Sequence, residues 1–490
     1  MEYLVIKYRY VFVILFLLPA SFFFDIYFFI RNKIIFAMRS APKQHQSRVE
    51  NVQNQIKQWQ NSQPRKKMCT ARPGWMNVSL RPGQYKKRSH QIAVNLVDIL
   101  NIDTKRQTIT VEPLATMGQI SATLNPLGWT LAVLPELDDL TVGGLIMGTG
   151  VESSSHVHGL FQHICVSYEL VLSDGRVVVA NEKENSDLFY AVPWSYGTLG
   201  FLVSAEIKIV PAKKYVKLNY QPSHSRGESI KLFEEASNDE TNDFVEGLMY
   251  SSEEAVIMTG TMTDNVEPDK LQLTVLAIIG NHGFINMLKI FCAEGPRRNI
   301  FLYDIIIIDT VVDIIPFGNN VIFRYLFGWM TPPKISLLKL TQTEAIKKLY
   351  EKHQIVQDML VPMQRLNESL DVFQKEFQNY PLWLCPMKLY KVPGFVKPAS
   401  KVEEMYVDIG AYGEPKVENF VAKETIRRIE HFVTSVKGFQ MLYADSYMTR
   451  EEFYKMFDHT LYNKLRDSIP NCKDAFSEIY DKVSFAARNT

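Results

Sequence analysis

The stretch PELDDLTVGGLIMGTGVESSSHVHGLFQH, Pro135 to His163, carries the most information in the chain. Four of its five glycines, Gly143, Gly144, Gly148 and Gly150, are interleaved with the hydroxyl residues Thr141, Thr149, Ser153, Ser154 and Ser155. Glycine removes the side chain that would hold a phosphate away from backbone N–H groups, and hydroxyls add neutral donors. The pattern therefore fits a peptide nest around a diphosphate. A Rossmann reading of Gly148 to Ser153 is weak, because Ser153 stands where the last glycine belongs and no clear βαβ unit surrounds it. A structural turn without a ligand would suit one pair of glycines better than this run. His156, His158 and His163 follow, but no carboxylate or thiolate set accompanies them at ligand spacing. They read as ordinary polar or cofactor-adjacent histidines, not as a metal site.

Working outward, residues 58–212 are short β-rich runs with turn punctuation: QTITVEP at 107–113, YELVLSDGRVVVA at 168–180 and GFLVSAEIKIVP at 200–211. Ser173-Asp174-Gly175 predicts a hairpin turn. TMGQISATLNPLGW at 116–129 predicts a short helix broken at Pro126 and Gly128. Beyond Pro211, helical stretches at 334–354 and 418–438 alternate with strand-like pieces such as EEMYVDIGAYG at 403–413. The second helix is expected to close at Gly438. The fold class is α+β, with a first domain over 58–212 and a second α+β domain over 213–490.

Ahead of both lies YVFVILFLLPASFFFDIYFFI, residues 10–30, whose one charge is Asp25. This is about the length that crosses a hydrocarbon core as a helix, and its bulky exit is unlike a cleaved signal peptide. Pro19 and Asp25 leave an in-plane segment as the alternative. Lys7 and Arg9 precede the run, whereas Arg31, Lys33, Arg39, Lys43 and Arg48 follow it, so the positive-inside bias puts the body in the cytosol. Residues 31–57 form a basic connector. Val49, Val52, Ile56 and Trp59 make one apolar stripe at its end. Between Asn51 and Val97 there are nine positive charges and no acid. That segment suits either an anionic leaflet or a phosphorylated cofactor.

With 54 Lys+Arg against 53 Asp+Glu over 490 residues, the chain is neither a generally basic nucleic-acid binder nor an acidic disordered one. Its five cysteines, Cys69, Cys165, Cys292, Cys385 and Cys472, are scattered and odd in number, which favours a reducing, cytosol-facing compartment over a disulfide framework.

The block LPELDDLTVGGLIMGTGVESSSH resembles the FAD-binding signature of the vanillyl-alcohol-oxidase, or PCMH-type, flavoproteins. In this form it is similar to the delta(24)-sterol reductase (Diminuto-like) family. The likeness extends through MCTARPGW (68–75), ENSDLFYAVPWSYGTLGFLV (184–203), FVEGLMYSSEEAVIMTG (244–260), YVDIGAYGEP (406–415) and GFQMLYADSYMTREEF (438–453). The resemblance implies a PCMH-type FAD-binding domain followed by a substrate (cap) domain. It also implies that FAD lies on Thr141, Val142, Gly143, Gly144, Leu145, Ile146, Met147, Gly148, Thr149, Gly150, Val151, Glu152 and Ser153, with a second segment at Gly197, Thr198, Leu199 and Gly200. Many relatives bind flavin covalently through a histidine. The matching stretch here, Arg72-Pro73-Gly74-Trp75, has none, so non-covalent FAD is expected.

The implied reaction is reduction of the side-chain double bond of a membrane-derived sterol such as desmosterol, with NADPH as reductant. The implied location is the endoplasmic reticulum membrane, single-pass. An isolated alkene is a poor hydride acceptor, so a proton donor and a dry, aromatic-walled site are needed. Tyr406, Asp408, Tyr412 and Glu414 are candidate donors and Trp383 and Trp329 candidate walls, with no residue assigned as catalytic. Two other readings remain: an oxygen-using flavin oxidase of the same superfold, and a membrane-anchored homologue without turnover. Oligomeric state is not legible in the sequence.

The likeness lapses over residues 273–312. Codons for Gly280 to Lys289, read from the last base of the glycine codon, can give Lys-Pro-Trp-Phe-Tyr-Lys-His-Val-Glu, and Asp304 to Asp309 shifts likewise to Tyr-Tyr-Tyr-His-Arg. Both resemble family text. The window is expected to be a frame-shifted stretch, and sequencing the transcript tests this. An intact frame encoding the window as it stands would refute an error in the gene reading.

Overall fold

The computed structural model describes residues 8–76, 85–265, 315, 320, 323, 326, 335–341, 343 and 353–486. The 273–312 window and Trp329 lie outside them.

The first domain opens with a parallel pair, β1 (Met68–Thr70) on β2 (His90–Ile92). Its main sheet joins β3 (Ile99–Asp103), β4 (Thr108–Val111), β5 (Trp129–Leu131), β6 (Cys165–Val171), β7 (Val177–Asn181) and β8 (Phe201–Pro211) in the order β3-β4-β8-β6-β7, with β5 also on β8. β6 and β7 form the expected hairpin, and Gly175 has φ +85°, a left-handed turn position that glycine takes without strain. The short helix Met117–Leu124 runs into a 3₁₀ turn, Asn125–Leu127, and ends at Gly128, φ +77°.

The second sheet is antiparallel. It contains β9 (Tyr215–Ser223), β10 (Phe244–Met249), β11 (Ala255–Thr263), β12 (Ile355–Pro362), β13 (Leu382–Leu389), β14 (Glu404–Gly413) and β15 (Phe439–Gln440), in the order β15-β12-β14-β13-β10-β11-β9. Strand alternation gives it two faces. Phe233, Phe373, Ile426, Ile429 and Val433 pack on one face as a separate core under helices Arg226–Asn238, Leu366–Glu376 and Ala422–Ser435. The register places Leu218, Met258, Glu246, Leu248, Trp383, Asp408, Gly410, Tyr412 and Asp358 on the other.

One expectation is corrected. The helix Ala422–Ser435 takes its left-handed closing residue at Lys437, φ +63°, not at Gly438. Gly438 is needed for a different reason, since a Cβ there would lie 2.3 Å from the Leu360 carbonyl oxygen. The end of the chain returns to the first domain. Met441, Phe453, Phe457, Tyr462, Phe476 and Val483 pack into the first domain's core.

The apolar segment forms one helix over Arg9–Ala37, long and apolar enough to cross a membrane. Phe16, Phe23, Tyr27 and Phe29 are exposed, while Val13, Leu17 and Leu18 cluster with Leu337 and Leu338. The connector continues as helix Ser40–Asn61, and its stripe Val49, Val52, Ile56 and Trp59 is buried in the first core.

Candidate active site

A chamber of about 2130 Å³ lies between the first domain and the second face of the antiparallel sheet. Single-ligand pockets hold roughly 300–1,000 Å³, so this one has room for a cofactor and a substrate side by side.

One wall is the glycine run. Thr141 caps the short helix Val142–Met147, its Oγ1 accepting from the Gly144 N–H at 3.4 Å and from Arg72 at 3.1 Å. Thr141, Gly143, Gly144, Leu145, Met147, Gly148, Thr149, Gly150, Val151, Glu152 and Ser153 all line the chamber. Val142 and Ile146 do not, because the helical period turns them into the core, where both are fully buried. Two of the glycines are sterically required: a Cβ would come within 2.9 Å of Pro113 Cβ and 3.0 Å of its carbonyl oxygen at Gly143, and within 2.8 Å of the Gly144 oxygen at Gly148.

The second segment splits in the same way. Gly197 and Gly200 line the chamber, whereas Thr198 and Leu199 point inward and are fully buried. The turn holds Trp194, Tyr196 and Gly197 at positive φ. Such strain persists only where surroundings over-determine it. Here Thr198 Oγ1 lies 2.7 Å from the Tyr462 hydroxyl, and Arg466 donates to the carbonyls of Thr198, Phe476 and Ser477. The returning C-terminal segment thus clamps the loop.

Beside these loops stand the cations Arg72, Lys86 and Lys482. Of these Lys86 is buried and Arg72 and Lys482 are half-buried; Lys482 donates to the Tyr196 carbonyl at 2.6 Å, and desolvation lowers its ammonium to about 8. Arg72 and Lys86 also line the chamber and are likewise pulled down by burial. Their hydrogen bonds among the described residues go to carbonyl and hydroxyl oxygens, not carboxylates. Cations held mainly by carbonyl and hydroxyl oxygens, with Asp139 the carboxylate that acts on Arg72, next to a side-chain-free nest, fit a pyrophosphate-bearing cofactor. The acid-free run from Asn51 to Val97 pointed to Arg72 and Lys86, but nothing in the local pattern pointed to Lys482.

The opposite wall carries Leu218, Met258, Leu248, Trp383 and Tyr412. Trp383 Nε1 donates to Glu246 at 3.3 Å, and burial lifts that carboxyl to about 7. Burial, and then neighbouring Glu136, push the Glu152 carboxyl well above the usual carboxylate range. Tyr412 donates to Asp358, whose other oxygen accepts from Tyr443 at 2.5 Å. Asp358 and Tyr443 were missed in the sequence because only strand register brings them to Tyr412. Of the other candidates, Asp408 is fully buried behind this group with neither oxygen hydrogen-bonded. Tyr406 is turned away, its hydroxyl bonded to Ala399 N and Lys437 O, and Glu414 is exposed.

The histidines brace the domains. His156 nitrogens lie 3.0 Å from the Ser153 and Asn242 carbonyls, and the helix Ser155–His158 packs on β13. His163 Nδ1 accepts from the Leu160 N–H, and burial lowers its ring to about 4, so it stays neutral. His158 alone of the three lines the chamber.

A family model described as an FAD binding domain matches residues 48–181. Delta(24)-sterol reductases from Macaca fascicularis and Homo sapiens are each 56% identical over 500 residues, covering 100% of this chain and 96% of the relative. The chain belongs to the delta(24)-sterol reductase family. A delta(24)-sterol reductase homolog from Caenorhabditis elegans is 45% identical over 99% of the chain. Membership makes the protein an FAD-dependent oxidoreductase.

Proposed function

We propose that the protein reduces the delta-24 side-chain double bond of a sterol of the desmosterol type, with NADPH as reductant. The observation that carries this reading is the single chamber: nest, cations and glycine loop on one wall, and Trp383, Leu248, Met258 and acid-linked tyrosines on the other. Bound FAD supplies hydride chemistry there. Thr141 to Ser153, with Gly197 and Gly200, would hold it by backbone donors, while Arg72, Lys86 and Lys482 balance its charge. The apolar wall excludes water and orients the sterol side chain. Aromatic faces steady positive character developing on the alkene.

The membrane location fits this substrate. The chamber's lining includes Arg9 of the apolar helix, whose guanidinium donates to Thr341 at 2.8 Å. A bilayer-dissolved sterol would then have a short route to the site. We place the protein in the endoplasmic reticulum membrane with its body in the cytosol, on the charge bias of the flanking segments; because Arg9 and Leu17 near one end of the apolar helix and Arg31 near the other all contact the body, the in-plane arrangement of that helix is favoured over a single-pass span.

An anaerobic flavin spectrum of detergent-solubilised protein tests the function. The expected result is bleaching by NADPH followed by re-oxidation on adding desmosterol. Absence of flavin, or flavin that NADPH leaves oxidised, would refute the reading. Re-oxidation by oxygen alone with a soluble alcohol as reductant would favour an oxidase.

A further inference from the structure

We infer that Asp358, Tyr412 and Tyr443 form the proton-delivery unit of the reaction, with Tyr443 as the donor to the alkene carbon. The inference rests on the proposed sterol reduction and assigns the step that hydride transfer alone leaves incomplete.

The geometry begins with the β12–β14 ladder, which sets Asp358 opposite Gly410. Without a side chain at 410, the ring of Tyr412 folds back across that position. A Cβ there would lie 2.6 Å from the Tyr412 hydroxyl oxygen. The folded ring brings its hydroxyl to one Asp358 oxygen, and Tyr443 reaches the other at 2.5 Å. Asp358 is fully buried, while both tyrosines line the chamber. Tyr443 is 39% exposed, and that surface belongs to the chamber wall, so it has the room to meet a substrate.

A second buried carboxyl lies beside the unit. Asp408 sits two residues from Gly410 on the same face, fully buried, and neither of its oxygens has a hydrogen-bond partner. No ion pair to Asp358 or Asp408 occurs among the described residues. Two buried carboxyls on one face without a cation cannot both ionise cheaply, and burial raises both. Glu136 adds like charge nearby.

In the step, the Tyr443 hydroxyl gives its proton to one alkene carbon, and its oxygen takes a proton from the Asp358 carboxyl. The other alkene carbon would receive one hydride, the chemistry that bound FAD supplies with NADPH as reductant. The π bond is consumed, two C–H bonds form, and the enzyme regains one proton from solvent. Tyr412 is a positioning residue that holds Asp358 in reach.

The test uses flavin-loaded full-length protein, reduced with NADPH under anaerobic conditions and mixed with desmosterol. Y443F is expected to bleach at the wild-type rate and to re-oxidise about 10²–10⁴-fold more slowly, the range a positioned general acid supplies. Deuterium from D₂O should appear in the wild-type product, with a solvent isotope effect on re-oxidation. Y412F should re-oxidise less slowly than Y443F and shift the pH profile of that phase, a change that loss of packing would not produce. Re-oxidation of Y443F within about twofold of wild type overturns the inference. If Y443F does not retain flavin, D358N is read by the same criterion. Failure of the wild-type protein to re-oxidise with sterol would instead refute the functional reading itself.

Discussion

A methyl group at Gly143 would lie 2.9 Å from Pro113 Cβ and 3.0 Å from its carbonyl oxygen, and backbone on that side cannot swing away as a flexible side chain could. Gly143→Ala is expected to cost about 1–3 kcal/mol and to lower flavin retention, read from a melting curve and the flavin-to-protein absorbance ratio. Lys482 behaves oppositely. It is half-buried with a carbonyl partner and, among the described residues, no carboxylate hydrogen bond, so its charge is a burden to the protein without flavin. Lys482→Met should leave the flavin-free melting temperature unchanged or higher while weakening flavin binding at least about tenfold. Equal flavin affinity in wild type and variant would remove Lys482 from the cofactor site.

Among elements, the connector helix Ser40–Asn61 does more than join anchor to body. Trp59 is fully buried and donates to the Lys66 carbonyl at 2.6 Å, so Trp59→Ala should destabilise the first domain by about 3–5 kcal/mol in denaturant unfolding. The same helix carries a polar clasp. Arg48 bridges Asp98 and Glu112, Arg31 reaches Asp98 from the apolar helix, and His45 lies 2.9 Å from Glu112 and 3.3 Å from Glu169. Burial alone would lower the His45 imidazole, but hydrogen bonds and charge from the two glutamates outweigh it and lift it to about 9. A folded-state value above the free value of 6.5 means that the clasp contributes fully below about pH 6.5 and fades as pH rises through 9. Melting temperatures of wild type and His45→Gln should therefore differ most near pH 6 and converge above pH 9. A gap that is constant with pH would count against the clasp.

For the whole molecule, the decisive feature is the return of the chain's end to the first domain. Arg466 is buried and satisfies carbonyls on both the glycine loop and the C-terminal segment, so the loop's shape depends on residues more than 260 positions away. Arg466→Met leaves those carbonyls unpaired, at about 1–3 kcal/mol each. It should release flavin before the second domain unfolds, seen as flavin fluorescence rising ahead of the main melting transition. A single coincident transition with flavin retained to the end would contradict this coupling.

The sequence by itself determined the chemistry of the cradle, the α+β class, the apolar helix and the amphipathic connector. Each of these rests on local rules: glycine's missing side chain, strand and helix periods, and the length of an apolar run. The likeness to sterol reductases was legible for the same reason, since its motifs are contiguous. Only the tertiary structure decided which face of each motif reaches the chamber. It turned Val142, Ile146, Thr198 and Leu199 into the core and Tyr406 onto a backbone brace, and it brought Lys482, Asp358 and Tyr443 to the site. Those assignments depend on strand register and on where the C-terminal segment packs. They are long-range pairings set by the burial of a whole face, which no short window of sequence contains.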